Sequence, residues 1–208
     1  MAEYCFLMGG GVHLSLAHFA VLIYGTIINQ AQLRNSYIFR LRTYPLGKIP
    51  TMHELISATL LNDPQKVRLL LNQKVHPDEK DKEHGETSLM LASEKGYFYI
   101  TQLLLTAGAN INARDNMGRT ALMHAAVAGR TEVLQLLLDS GASINIKDQY
   151  GVTALMLAVE SGNPEAIKAL LTAKPEIDVA DLNDETALTR AVGYGFAEIA
   201  TILANSLP

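Results

Sequence analysis

Cysteine is almost absent from this chain. Cys5 is the only one in 208 residues, which excludes an internal disulfide framework and fits a reducing compartment. Without cysteine companions, His13, His18, His53, His76, His84 and His124 show no metal-ligand spacing. Low-complexity tracts are also missing, and an ordinary apolar share of 49% argues against disorder. Charge is missing from one place: no Asp, Glu, Lys or Arg lies between Tyr4 and Leu33.

Elsewhere charge is plentiful but uneven. Residues 1–51 hold Arg34, Arg40, Arg42 and Lys48 against Glu3, a net of +3, which leaves −7 for the rest of a chain totalling −4. A net-acidic body lacks the clustered Lys and Arg that phosphates demand, so nucleic acid is not an expected partner.

What the acidic part contains is a period. Thr87, Thr120, Thr153 and Thr186 are each 33 residues apart, opening the phrases TSLM, TALM, TALM and TALT. Leu89, Leu122, Leu155 and Leu188 follow, then Ala92, Ala125, Ala158 and Ala191, then Gly96, Gly129, Gly162 and Gly195. Leu104, Leu137, Leu170 and Leu203 recur further along. A fixed period of this length means one supersecondary unit stacked on itself. Such a solenoid offers an extended surface, so binding is the default function and catalysis has to be shown.

Within a unit the elements are legible. Thr120 suits a helix N-cap, and Leu122, Met123, Ala125 and Ala126 give an apolar face at helical spacing. Gly129 ends that helix, and Val133, Leu134 and Leu136–Leu138 supply a second one closed by Gly141. The tail through Ile144 to Asp148 and Gly151 reads as an extended finger with a tight turn. Small alanines on the first helix allow close layers, and the leucines of the second fill the space between them. Upstream, Ala58 and Leu69–Leu71 match the next unit with an offset of 34, which places one extra residue in a finger near His76-Pro77. Asp63-Pro64 and Asn163-Pro164 both read as starts of second helices. Five units are expected, at 52–84, 85–117, 118–150, 151–183 and 184–208.

The pattern G-x-T-A-L-M-x-A-A-x-x-G followed by E-V-L-x-L-L-L-x-x-G-A resembles the ankyrin repeat over roughly three quarters of the chain. The resemblance implies an all-α solenoid of about five helix-turn-helix units with β-turn fingers, with an apolar N-terminal segment before it. There are departures from the family pattern. Its usual TPLH has become TALM, TSLM or TALT, Lys174-Pro175 replaces the Gly-Ala after a second helix, and Asp184 stands where other units have Gly85, Gly118 and Gly151. The finger before the last unit is therefore expected to be distorted. Ala204, in a leucine position, suits a terminal cap.

Three readings of the first fifty residues stay open. The charge-free run suggests an apolar helix over 12–31, nearly long enough to span a bilayer, although His13, His18, Asn29 and Gln30 weaken it. The basic residues after it would then hold the repeats on the cytoplasmic side. Alternatively the helix packs on the first repeat or on a partner, or translation begins at Met52. No A-x-A cleavage site follows the run and no basic residue precedes it, against a cleaved signal peptide. Residues 37–44 read as a short strand or linker.

Catalytic constellations are lacking. Gly9-Gly10-Gly11 has no Lys-Ser/Thr after it, and His13 and His18 have no glutamate between them. Cys5 has no evident base. His124 reads as a packed or partly exposed histidine, and Asp115, Asp148 and Asp181, recurring once per unit, read as turn-stabilising. No enzyme, cofactor, metal site or small-molecule substrate is expected. The resemblance implies a non-catalytic module that binds a protein partner on a concave face lined by fingers and first helices. The residues it places there are Arg114, Asn116, Met117, Arg119, Val127, Lys147, Gln149, Tyr150, Val152 and Tyr194, with His84, Glu86, Glu94, Lys95 and Glu160 also exposed. Tyr150, Met117, Arg114 and Arg119 are the expected anchors. A monomer in the cytoplasm is expected, membrane-tethered if 12–31 inserts. The alternatives are a membrane-tethered adaptor and a regulatory subunit of an enzyme.

Overall fold

The computed structural model describes residues 54–207. The chain divides between Pro50 and Thr51 into two units, and the described residues belong to the second. The expectations for the apolar segment 12–31, the linker and a start at Met52 therefore lie outside the described residues. Within them, no helix is long and apolar enough to cross a membrane.

Ten helices in five pairs make up the described part. The first helices of the pairs are α1 (Glu54–Leu60), α3 (Ser88–Lys95), α5 (Ala121–Val127), α7 (Ala154–Ser161) and α9 (Ala187–Gly193). The second helices are α2 (Pro64–Asn72), α4 (Phe98–Thr106), α6 (Thr131–Asp139), α8 (Pro164–Thr172) and α10 (Ala197–Ala204). The described residues contain no strand, only an isolated antiparallel bridge between Lys80 and Thr87. First helices pack on first helices and second on second, so two rows of helices stack side by side.

The recurring threonines set the start of each first helix. Thr87, Thr153 and Thr186 accept a bond from the backbone N–H three residues on, satisfying one of the helix's orphan donors. Thr120 occupies the same position without that bond. Two second helices begin as the prolines suggested. Asp63 accepts from the Lys66 N–H, and Asn163 from those of Glu165 and Ala166, each ahead of a proline that has no N–H to satisfy.

The core follows the period. Ala92, Ala125, Ala158 and Ala191 are fully buried between first helices, and Leu104, Leu137, Leu170 and Leu203 are fully buried under second helices. Each such leucine contributes about 2 kcal/mol by leaving water. No single pair buries its face alone, so stability is shared between neighbours.

Two sequence expectations need correction. The 34-residue offset persists through Asp81, whose N–H bonds the Glu86 carbonyl as that of Asp115 bonds Arg119. The extra residue of the first finger therefore sits between Asp81 and Gly85, inside the turn, and not near His76-Pro77. The finger before the last pair keeps its turn, with the Asp181 N–H on the Glu185 carbonyl, although Pro175 cannot make the bond by which the Ala142 N–H reaches the Leu137 carbonyl. Lys174 (φ 52°) and Asp184 (φ 59°) adopt the left-handed conformation that Gly141 and Gly151 adopt one unit earlier. The backbone geometry is kept and the local strain falls on those two residues.

Candidate interaction surface

Each finger turn is built on an aspartate that works with both oxygens. Asp115 Oδ1 accepts from the N–H groups of Met117 and Arg119, both at 2.8 Å. Asp148 Oδ1 does the same for Tyr150 (2.9 Å) and Val152 (3.0 Å), and Asp181 Oδ1 for Asn183 (2.8 Å) and Glu185 (3.0 Å). The turn-stabilising role expected for these residues is what the geometry shows. The second oxygen meets a cation or imidazole. Asp115 Oδ2 lies 3.0 Å from His124 Nε2, Asp148 Oδ2 is 3.3 Å from Arg119 Nε, and Asp181 Oδ2 bonds Arg190.

Successive fingers are tied to one another. The Asn116 N–H bonds the His84 carbonyl (2.8 Å), Gln149 that of Met117 (3.0 Å) and Leu182 that of Tyr150 (2.9 Å). Lys80 Nζ reaches the Arg114 carbonyl at 2.8 Å, and Arg114 in turn donates to the carbonyls of Gly118 (3.1 Å) and Lys147 (2.5 Å). The tips therefore form one hydrogen-bonded edge that presents side chains in fixed register.

Several expected surface residues are placed differently. Glu86, Glu94 and Val152 are buried, at 2%, 6% and 6% exposure, and are not part of an open face. Val152 packs in the core, and Glu86, just before α3, and Glu94, near the end of α3, flank His124. Arg114, although exposed, is committed to carbonyls, and Arg119 is half-buried against Asp148. Asn116 spends its amide on the Glu83 carbonyl. Met117 and Val127 are half-buried, while Lys147, Gln149, Tyr150 and Tyr194 are exposed, as is Lys95.

Tyr150, Glu160, Leu182, Arg119 and Arg190 line a cleft of about 390 Å³ between the last two fingers and first helices. Its rim is apolar and open: Tyr150 is 49% exposed and Leu182 74%. Tyr194 is raised above the usual phenol range by burial, with the Glu160 carboxylate adding to the effect. Burial likewise pushes Glu160 up, against the pull of Arg190 and Arg119. Arg190 bridges Asp181, Glu160 and Glu185, which sets the cleft floor.

Leu182 and Arg190 were not singled out from sequence, although the period contains both. Leu182 stands 33 residues after Gln149 and 66 after Asn116, in the same fingertip column. Arg190 stands 66 after His124, and each bonds the aspartate nine residues before it. The alignment of columns was available; the chemistry changes from column to column and hides the shared position.

A family model described as Ankyrin repeats (3 copies) matches residues 55–148 and 141–207. The chain belongs to the ankyrin-repeat family. Ankyrin repeats generally serve as protein–protein interaction modules and are typically non-catalytic. No curated protein matches the chain significantly. In this ankyrin array the histidine of the usual tetrapeptide is replaced at the third helical position by Met or Thr. Met90 and Thr189 there accept the N–H of the capping threonine of their own helix.

Proposed function

We propose that the array binds a protein partner on the face made by its fingers and first helices, with the cleft beside Tyr150 and Leu182 as the centre of contact. The observation that carries this reading is an exposed apolar rim, Tyr150 and Leu182, set on fingers locked by aspartate turns and cross-finger hydrogen bonds. Rigid aromatic and aliphatic anchors next to a desolvated arginine are where binding energy concentrates. Prior ordering of the fingers lowers the entropy lost on association. Arg114 and Arg119 support the surface from beneath, and Tyr194 extends it towards the last repeat.

The test is quantitative affinity capture from the native source with wild-type chain and with Tyr150→Ala/Leu182→Ser. Circular dichroism checks that both fold alike. A partner retained by the wild type and depleted about tenfold or more by the double variant is the expected outcome, a loss of about 1.4 kcal/mol or greater. Equal recovery of every partner rejects this face.

A further inference from the structure

Outside the cleft, the strongest unexplained chemistry lies between the second and third repeats. His124 on α5 is 2% exposed and sits among three carboxylates: Asp115 and Glu86 from the finger regions, and Glu94 from α3. Its two ring nitrogens have different surroundings. Nε2 lies 3.0 Å from Asp115 Oδ2, a hydrogen bond that holds the proton on that nitrogen when the ring is neutral. Nδ1 has no hydrogen-bond partner and faces Glu94 Oε2 at 3.8 Å. Glu86 Oε1 lies 3.8 Å from Nε2. A ring oriented through one nitrogen by a carboxylate, with the other facing a second carboxylate, is the arrangement by which proteins aim a histidine at a metal.

We propose that Glu86, Glu94 and His124 form a binding site for one divalent cation of the zinc class, stapling the second repeat to the third. One ligand atom from each of the three lies within 4.8 Å of the others. Two ligands about 2.0 Å from a tetrahedral zinc stand about 3.3 Å apart, so the 3.8 Å between Nδ1 and Glu94 needs only a few tenths of an ångström of closure. Three protein ligands leave a position for water.

Charge argues the same way. Three buried carboxylates surround a single imidazole, and Lys95 Nζ reaches Glu94 from the exposed side at 3.1 Å. Carboxylates and an imidazole converging from two repeats are donors that a dication can hold together. The mixed nitrogen and carboxylate set suits zinc better than calcium, which takes six or more oxygens. Glu86 also belongs to a second, outer group with Asp81 and His84, the latter 45% exposed, which gives an ion a stepwise route inward. Because the ligands come from two repeats, no linear spacing reveals them.

The experiment is titration of Zn²⁺ into the chelator-stripped full chain, by calorimetry and by thermal melting, with Co²⁺ absorption as a report on coordination. The site predicts one ion per chain and a rise in Tm. Glu94→Gln and His124→Gln each weaken binding about tenfold or more, and His84→Ala leaves it intact. Absence of uptake at about 0.1 mM Zn²⁺ overturns the proposal, as does loss in His84→Ala with binding kept in the other two. Should both inner variants fail to fold, a tetrahedral Co²⁺ spectrum shared by wild type and His84→Ala supports the site. A flat wild-type Tm refutes it.

Discussion

Asp181 shows how much one side chain does in this fold. Its carboxylate accepts the N–H groups of Asn183 and Glu185 and bonds the Arg190 guanidinium. Burial raises its pKa, but the backbone N–H groups and Arg190 outweigh that and hold it below the ordinary 3.8. A depressed carboxylate stabilises the fold above its unfolded pKa, and the contribution is lost as pH falls through the folded value. Asp181→Asn is therefore expected to lower stability at neutral pH, with the two proteins converging below about pH 4. Urea melts across pH measure this, and a difference that grows on acidification contradicts it. Lys174 carries the opposite expectation. It holds φ 52° where the equivalent residue is Gly141. Lys174→Gly should stabilise by about 0.5–1 kcal/mol, read as a higher urea midpoint at unchanged m-value, because only the strained residue is relieved.

At the scale of the element, the threonines that define the period are not equal. Thr153 accepts the Met156 N–H, whereas Thr120 has no such bond and its buried hydroxyl lacks a hydrogen-bond partner. Thr153→Ala is expected to cost about 1 kcal/mol, and Thr120→Ala distinctly less; equal losses by thermal melting would show that the cap is not the cause. The same contrast marks what could be read from the chain. Helix pairs, caps, prolines and the alternation of alanine and leucine are local or strictly periodic, so Thr87, Ala125 and Leu137 announced their places. Exposure of Glu86 and Glu94 was misjudged because it depends on a neighbour in the next repeat, His124, that no pattern within one unit contains. Leu182 was overlooked for the converse reason: a leucine in a fingertip column reads as buried until the turn that exposes it is built.

At the scale of the molecule, the array is a set of ordered fingers on two rows of helices, and both rows contribute buried leucines to the core. The proposed contact lies on the finger face with exposed Tyr150, whereas exposed Gln135, bonded to Asp139 on its own helix, belongs to α6 in the second row. Cooperative, shared stability means that surface changes on one face should leave the other intact. The most direct measurement replaces Tyr150, and separately Gln135, with a photo-crosslinking residue in the full chain, followed by mass spectrometry of the captured product. Crosslinking of one partner from position 150 and not from 135 is the predicted result. The same partner captured from 135 alone would contradict the finger-face account.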